Sequence, residues 1–117
     1  MALASACAES PARPSTDAVA TIRVATETFR VRLTTAEQIA AANAARAGGP
    51  ARIPNGRIVA GTDVNVGYSW HLEDVEFVEA VIELCDGRPS MVEREGPSYG
   101  GGRFCPWGAE VLSVAPL

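Results

Sequence analysis

The chain has 117 residues, 47% hydrophobic and 21% charged, enough for one core, too few for two, and outside the polar range of disordered proteins. Its net charge is −4, with ten arginines and no lysine scattered from Arg13 to Arg103. No basic stripe exists to displace counterions from phosphates, which argues against nucleic acid as a partner. No run approaches the roughly 18 apolar residues needed to cross a bilayer, since Ile22 to Leu33 is cut by Arg23, Glu27, Arg30 and Arg32.

Residues 1–18 carry Ala, Ser, Pro and Thr without periodicity and read as the remnant of an export leader followed by a flexible linker. Ala4-Ser5-Ala6 ahead of Cys7 fits the small-x-small pattern of signal peptidases, making Cys7 a candidate for lipidation and a lipid anchor. The competing reading is an alanine-rich tail of a cytosolic protein, because Ala4 stands where lipoprotein signals usually carry Leu. A single domain is expected over 19–117.

Within it, Phe29, Val31 and Leu33 alternate with Arg30 and Arg32, the period of a half-buried strand, and Ile22 and Val24 extend it backwards. Thr34 and Thr35 each precede an acid or amide by three residues, Glu37 and Gln38. These overlapping capping boxes predict a helix to about Ala47, stopped by Gly48-Gly49-Pro50. Pro54-Asn55-Gly56 is turn chemistry, followed by a short strand Arg57 to Ala60 and a loop over 62–65. Tyr68, Trp70 and Leu72 alternate with Ser69 and His71, predicting a strand with its aromatic side packed. Residues 74–86 fit both a strand and a helix; their β-branched content and the Asp86-Gly87 stop favour a strand. Arg88-Pro89-Ser90 opens a short helix through Glu93, glycines 96 and 100–102 form a loop, and Arg103–Cys105 and Ala109–Val114 are closing strands. The sum is an α+β fold, a small, mainly antiparallel sheet of about five strands with one main helix packed on it.

Three cysteines minus one in the leader leaves Cys85 and Cys105, either a disulfide or two buried thiols; one histidine and no C-x-x-C argue against a zinc site. The acidic run from Glu73 to Asp86, with Asp63 and Asn65 before it, offers oxygen ligands for calcium through Asp63, Asn65 and Asp74, or else is a solvated acidic face. No other cofactor is expected. His71, the single histidine, is the one candidate for histidine-based acid/base work, with Ser69, Ser90, Ser98 or a thiol as nucleophile. No nucleophile elbow frames any of these. A structural histidine bonded to the backbone is the stronger reading, and no catalytic residue is assigned.

Phe29-Arg30-Val31-Arg32-Leu33, Ile53-Pro54-Asn55-Gly56-Arg57, Tyr68-Ser69-Trp70-His71-Leu72, Ile82-Glu83-Leu84-Cys85-Asp86-Gly87-Arg88-Pro89-Ser90 and Phe104-Cys105-Pro106-Trp107 resemble the BP-seventy-four calmodulin-binding protein N-terminal domain across residues 28–112. The resemblance implies a small secreted or extracytoplasmic domain with its two cysteines bridged, and brings no catalytic residues. Its name suggests a calcium-linked role, yet calmodulin targets are basic amphipathic helices, and this acidic chain has none.

The expectation is a non-catalytic, monomeric extracytoplasmic binding module, secreted or lipid-anchored. It would recognise a protein or envelope component through Tyr68, Trp70, His71, Glu73 and Asp74. The alternative is a secreted peptidase inhibitor presenting the turn at 53–58, or a small hydrolase-like enzyme using His71.

Overall fold

The computed structural model describes residues 16–49 and 51–117. The leader reading and Cys7 fall outside them. Six strands, two α-helices and a 3-10 turn follow in the order β1 (Ala18–Val24), β2 (Glu27–Leu33), α1 (Ala36–Arg46), β3 (Ile53–Ala60), β4 (Trp70–Val78), α2 (Pro89–Glu95), the turn Tyr99–Gly101, β5 (Arg103–Phe104) and β6 (Ala109–Pro116).

The expected single sheet is two antiparallel sheets of three strands, ordered β2-β1-β6 and β4-β3-β5. The run from Ile22 to Leu33 is accordingly two strands, β1 and β2, paired from Ala18↔Leu33 to Val24↔Glu27. A two-residue turn at Ala25-Thr26 separates them, with Ala25 at φ 57°. That turn has no Gly, Asn or Asp to announce it. Both strands send alternate residues inward: Ala18, Ala20, Ile22 and Val24 from β1, and Phe29, Val31 and Leu33 from β2.

Helix α1 starts as its sequence predicts. The Thr35 hydroxyl accepts from the Gln38 N–H at 3.1 Å, and the Gln38 side chain accepts from the Thr35 N–H at 3.1 Å, a closed capping box. The Gln38 amide also donates to the Val75 carbonyl at 2.9 Å, fastening the helix start to β4. Only Ala42 of the helix is fully buried, so α1 covers the fold with small side chains.

Pro54-Asn55-Gly56 is not a turn. It lies inside β3, the central strand of the second sheet, with Ile53, Pro54, Gly56 and Ile58 buried. The ladder to β4 steps from Asn55↔Glu76 to Arg57↔Glu73, so Gly56 faces two residues, a bulge eased by Asp74 at φ 54°. A Cβ on Gly56 would stand 2.8 Å from Val75 Cγ2 and 2.9 Å from Leu72 Cβ, which is why glycine fits there. The segment is strand rather than turn, paired with β4 along its length and on its other edge at Gly56 and Arg57, so the inhibitor reading at 53–58 loses the exposed turn it relied on.

The strand expected over 74–86 also divides. Its first residues complete β4, and after Val78 the chain leaves the sheet as a loop up to Arg88. The two sheets share one core in which Phe29 lies 5.9 Å from Trp70 and 5.4 Å from Phe104 between ring centroids. Asn65, fully buried, joins their edges: its Oδ1 accepts from the Arg30 N–H of β2 at 2.9 Å and its Nδ2 donates to the Trp70 carbonyl of β4 at 2.9 Å. One side-chain amide thus stands in for a peptide group between two strands that do not pair directly. Two glutamates hold α2 in a similar way. Glu27 accepts from the Ser90 N–H and hydroxyl, both at 2.8 Å, and Glu93 accepts from the same two groups of Ser69 at 2.8 Å.

Candidate functional site

The five residues expected to bind a ligand fall on opposite faces of β4 and the loop before it. Trp70 is 2% exposed and stacks in the core against Phe29, Phe104 and the half-buried Tyr68. Its indole N–H is buried with no acceptor among the described residues. His71, Glu73 and Asp74 line a cleft of about 260 Å³ with Arg32, Thr34, Gln38, Asp63 and Leu72.

That cleft is a relay of ion pairs. Arg32 grips Asp63 through two bonds of 3.0 and 3.2 Å and reaches Asp17 at 3.0 Å. The Arg32 hydrogen bond holds the Asp63 carboxyl below its ordinary range. On the other side, Arg57 binds Glu73 at 3.2 Å and Asp74 at 3.0 Å. Between them, His71 Nδ1 lies 2.6 Å from the Gly61 carbonyl and Nε2 lies 2.8 Å from Glu73 Oε2. Carbonyl and carboxylate oxygens only accept, so this pair of partners favours the protonated ring, in which both nitrogens donate. Burial alone would lower the His71 pKa. The hydrogen bonds to Gly61 and Glu73, with the charges of Asp63 and Glu73, outweigh it and raise the pKa above 6.5.

Both ring nitrogens of His71 are thus engaged, by Gly61 and Glu73, and neither faces a serine or thiol partner. The hydroxyls of Ser69 and Ser90 are committed to Glu93 and Glu27. Cys85 and Cys105 form a disulfide with Cα atoms 5.1 Å apart. The hydrolase-like scheme therefore lacks its base, two of its serines and these thiols. The calcium trio is not brought together either. Asp63 and Asp74 reach the cleft, each bonded to an arginine, while the buried Asn65 amide is spent between the sheets. Among the described residues, no group of three or more His, Cys, Asp or Glu is placed to hold a metal ion.

A second surface was not singled out from the sequence. After β4, Val81 is 71%, Ile82 52% and Leu84 71% exposed, and Trp107 opposite them is 37% exposed. These side chains ride on backbone that is held hard. Besides the disulfide, the Cys105 N–H donates to the Cys85 carbonyl at 2.7 Å. The Trp107 indole donates to the Ile82 carbonyl at 3.1 Å, and Asp86 Oδ1 accepts from the N–H groups of Gly87 and Trp107 at 2.8 and 2.7 Å. Tyr99 donates its hydroxyl to the Asp86 carbonyl at 2.6 Å. Beside this ledge runs a groove of about 480 Å³ lined by Val78, Val81, Ile82, Ile53 and the sulfur-bearing Cys105, with Arg52, Asn55, Glu76 and Glu79 at its rim.

Such an arrangement defines a small disulfide-clamped domain of two sheets, whose accessible chemistry is an ion-paired cleft and an apolar ledge. The chain belongs to the BP-seventy-four N-terminal domain family, whose model matches residues 15–117. No curated protein and no solved structure matches it.

Proposed function

We propose that this domain is a non-catalytic binding module that works outside the reducing cytosol and recognises a protein partner through the ledge of Val81, Ile82, Leu84 and Trp107. The observation that carries the reading is the pairing of exposure with restraint. Apolar side chains in a loose loop can fold away from water. Here the backbone beneath them is fixed by a covalent bond and by hydrogen bonds from Trp107 and Tyr99, so they stay presented. Preorganised apolar groups with a polar rim are what a protein interface requires, because little ordering entropy is lost on docking. A disulfide in so small a domain supports maturation in an oxidising compartment, secreted or at the envelope.

The reading is tested by placing a photo-crosslinking residue at position 81 and, as a control, at Ser113 in β6 of the other sheet. Irradiation in the secreted and envelope fractions of the producing cell should yield a discrete protein adduct from position 81 alone, lost when the disulfide is reduced first. Absence of an adduct, or equal labelling from position 113, would overturn it.

A further inference from the structure

We infer that the groove beside the ledge takes a cationic polypeptide segment anchored by apolar side chains; this rests on the binding reading above and adds the chemistry of the partner. Its apolar lining is Val78, Ile53, Cys105 and the exposed Val81 and Ile82. Its rim is acidic. Glu76 and Glu79 line the groove, Glu83 follows in the same loop, and among the described residues none of the three forms an ion pair. The other acids nearby are already engaged: Asp86 holds the backbone of Gly87 and Trp107, and Glu73 and Asp74 hold Arg57. Three unpaired carboxylates, two of them lining the groove, stand against two guanidinium groups, Arg52, whose Nη1 lies 3.5 Å from the Phe77 carbonyl, and Arg103, which donates to the groove-lining Asn55 at 2.7 and 3.3 Å, so negative charge is in excess by one. A docking segment loses the hydration of its own charges, so positive side chains that meet these carboxylates bind best and negative ones worst.

The same charge count disfavours the other occupants of an apolar groove. A second copy meeting this face about a two-fold axis would bring Glu76, Glu79 and Glu83 against their own likeness. An anionic lipid surface would meet three carboxylates where membrane-binding surfaces carry arginines and lysines. The volume of about 480 Å³ suits two or three side chains of an extended or helical segment.

The test uses fluorescein-labelled peptides of twelve residues, alternating Lys with Leu, Glu with Leu, and Lys with Ser, titrated with the oxidised full chain and read by anisotropy. The Lys-Leu peptide should bind at least tenfold more tightly than either of the others, with an affinity that falls as salt is raised. The triple substitution Glu76→Gln, Glu79→Gln and Glu83→Gln should weaken it at least tenfold and flatten the salt dependence. Ile82→Ser should weaken it similarly, and Glu37→Gln in the first turn of α1 should change nothing. All these side chains are on the surface, and unchanged circular dichroism and melting confirm the variants are folded. Equal binding of the Glu-Leu peptide, indifference to the glutamine or serine substitutions, sedimentation showing a dimer that protects Trp107, or tighter binding to phosphatidylserine vesicles than to the Lys-Leu peptide would each overturn the inference. An adduct at position 81 without peptide discrimination sinks the charge argument and leaves the binding reading. Discrimination without an adduct does the reverse.

Discussion

Reduction of the Cys85–Cys105 bond should cost the domain a large part of its stability. The two residues are 20 apart, and loop closure over that length removes about 3 kcal/mol of denatured-state entropy. Unfolding roughly 100 ordered residues at about 2.1 cal/mol/K each converts this into a fall in Tm of about 14 °C. Both sulfurs lie in buried residues, 2% and 1% exposed, in a small cluster with Ile53, so the bond also fixes the wall of the groove. The assay is thermal unfolding followed by circular dichroism in a Cys7→Ser background, oxidised and after reduction, with thiol titration confirming that both groups are open. A shift of less than about 3 °C in fully reduced protein would mean that the denatured chain gains almost no freedom, and would refute the loop-closure argument.

Three further perturbations probe the frame. Gly56→Ala forces a methyl against Val75 and Leu72 where the bulge doubles the chain, and should cost about 1–3 kcal/mol in urea unfolding; an unchanged midpoint would refute the close approach. Asn65→Ala strands the Arg30 N–H and the Trp70 carbonyl, at about 1–3 kcal/mol each, and should make the Arg30 amide exchange quickly with deuterium. Because the folded pKa of His71 is raised, its stabilisation is fully present below the unfolded value and is lost as pH climbs through the folded one. The stability gap between wild type and His71→Gln should therefore shrink from acidic to alkaline pH in urea titrations, and a gap that widens would contradict the raised pKa.

Local chemistry explains which elements could be read from the sequence. The start of α1 depends on Thr35 and Gln38 alone, two residues three apart whose side chains meet each other's backbone, so it is legible from spacing. The division between β1 and β2 depends on Ala25 adopting φ 57°, a conformation forced by the pairing of Val24 with Glu27 and marked by no turn-forming residue. Pro54-Asn55-Gly56 misleads for the opposite reason. Its residues have turn propensities, but burial of Pro54 and the crowding of Gly56 by β4 come from partners elsewhere in the chain. Asn65 resembles a loop ligand in sequence, while its function in the fold, bonding two strand edges 35 and 5 residues away, is long-range and invisible there.

The ledge was hidden by the same ambiguity that identifies it. Residues 74–86 fit both a strand and a helix because two requirements meet in one run: Val75 and Phe77 alternate to serve the core, while Val81, Ile82 and Leu84 serve no core at all. An apolar pattern reports a period only when one face is buried. The clamped loop leaves three large apolar residues in water beside unpaired glutamates, and under the binding role proposed above the surface that would set their period belongs to the partner. The regularity expected of that stretch would then reappear in a complex, as protection of Val81 and Ile82 but not of Leu112 on β6, and hydrogen exchange or solvent labelling with the Lys-Leu peptide bound is the measurement that would show it.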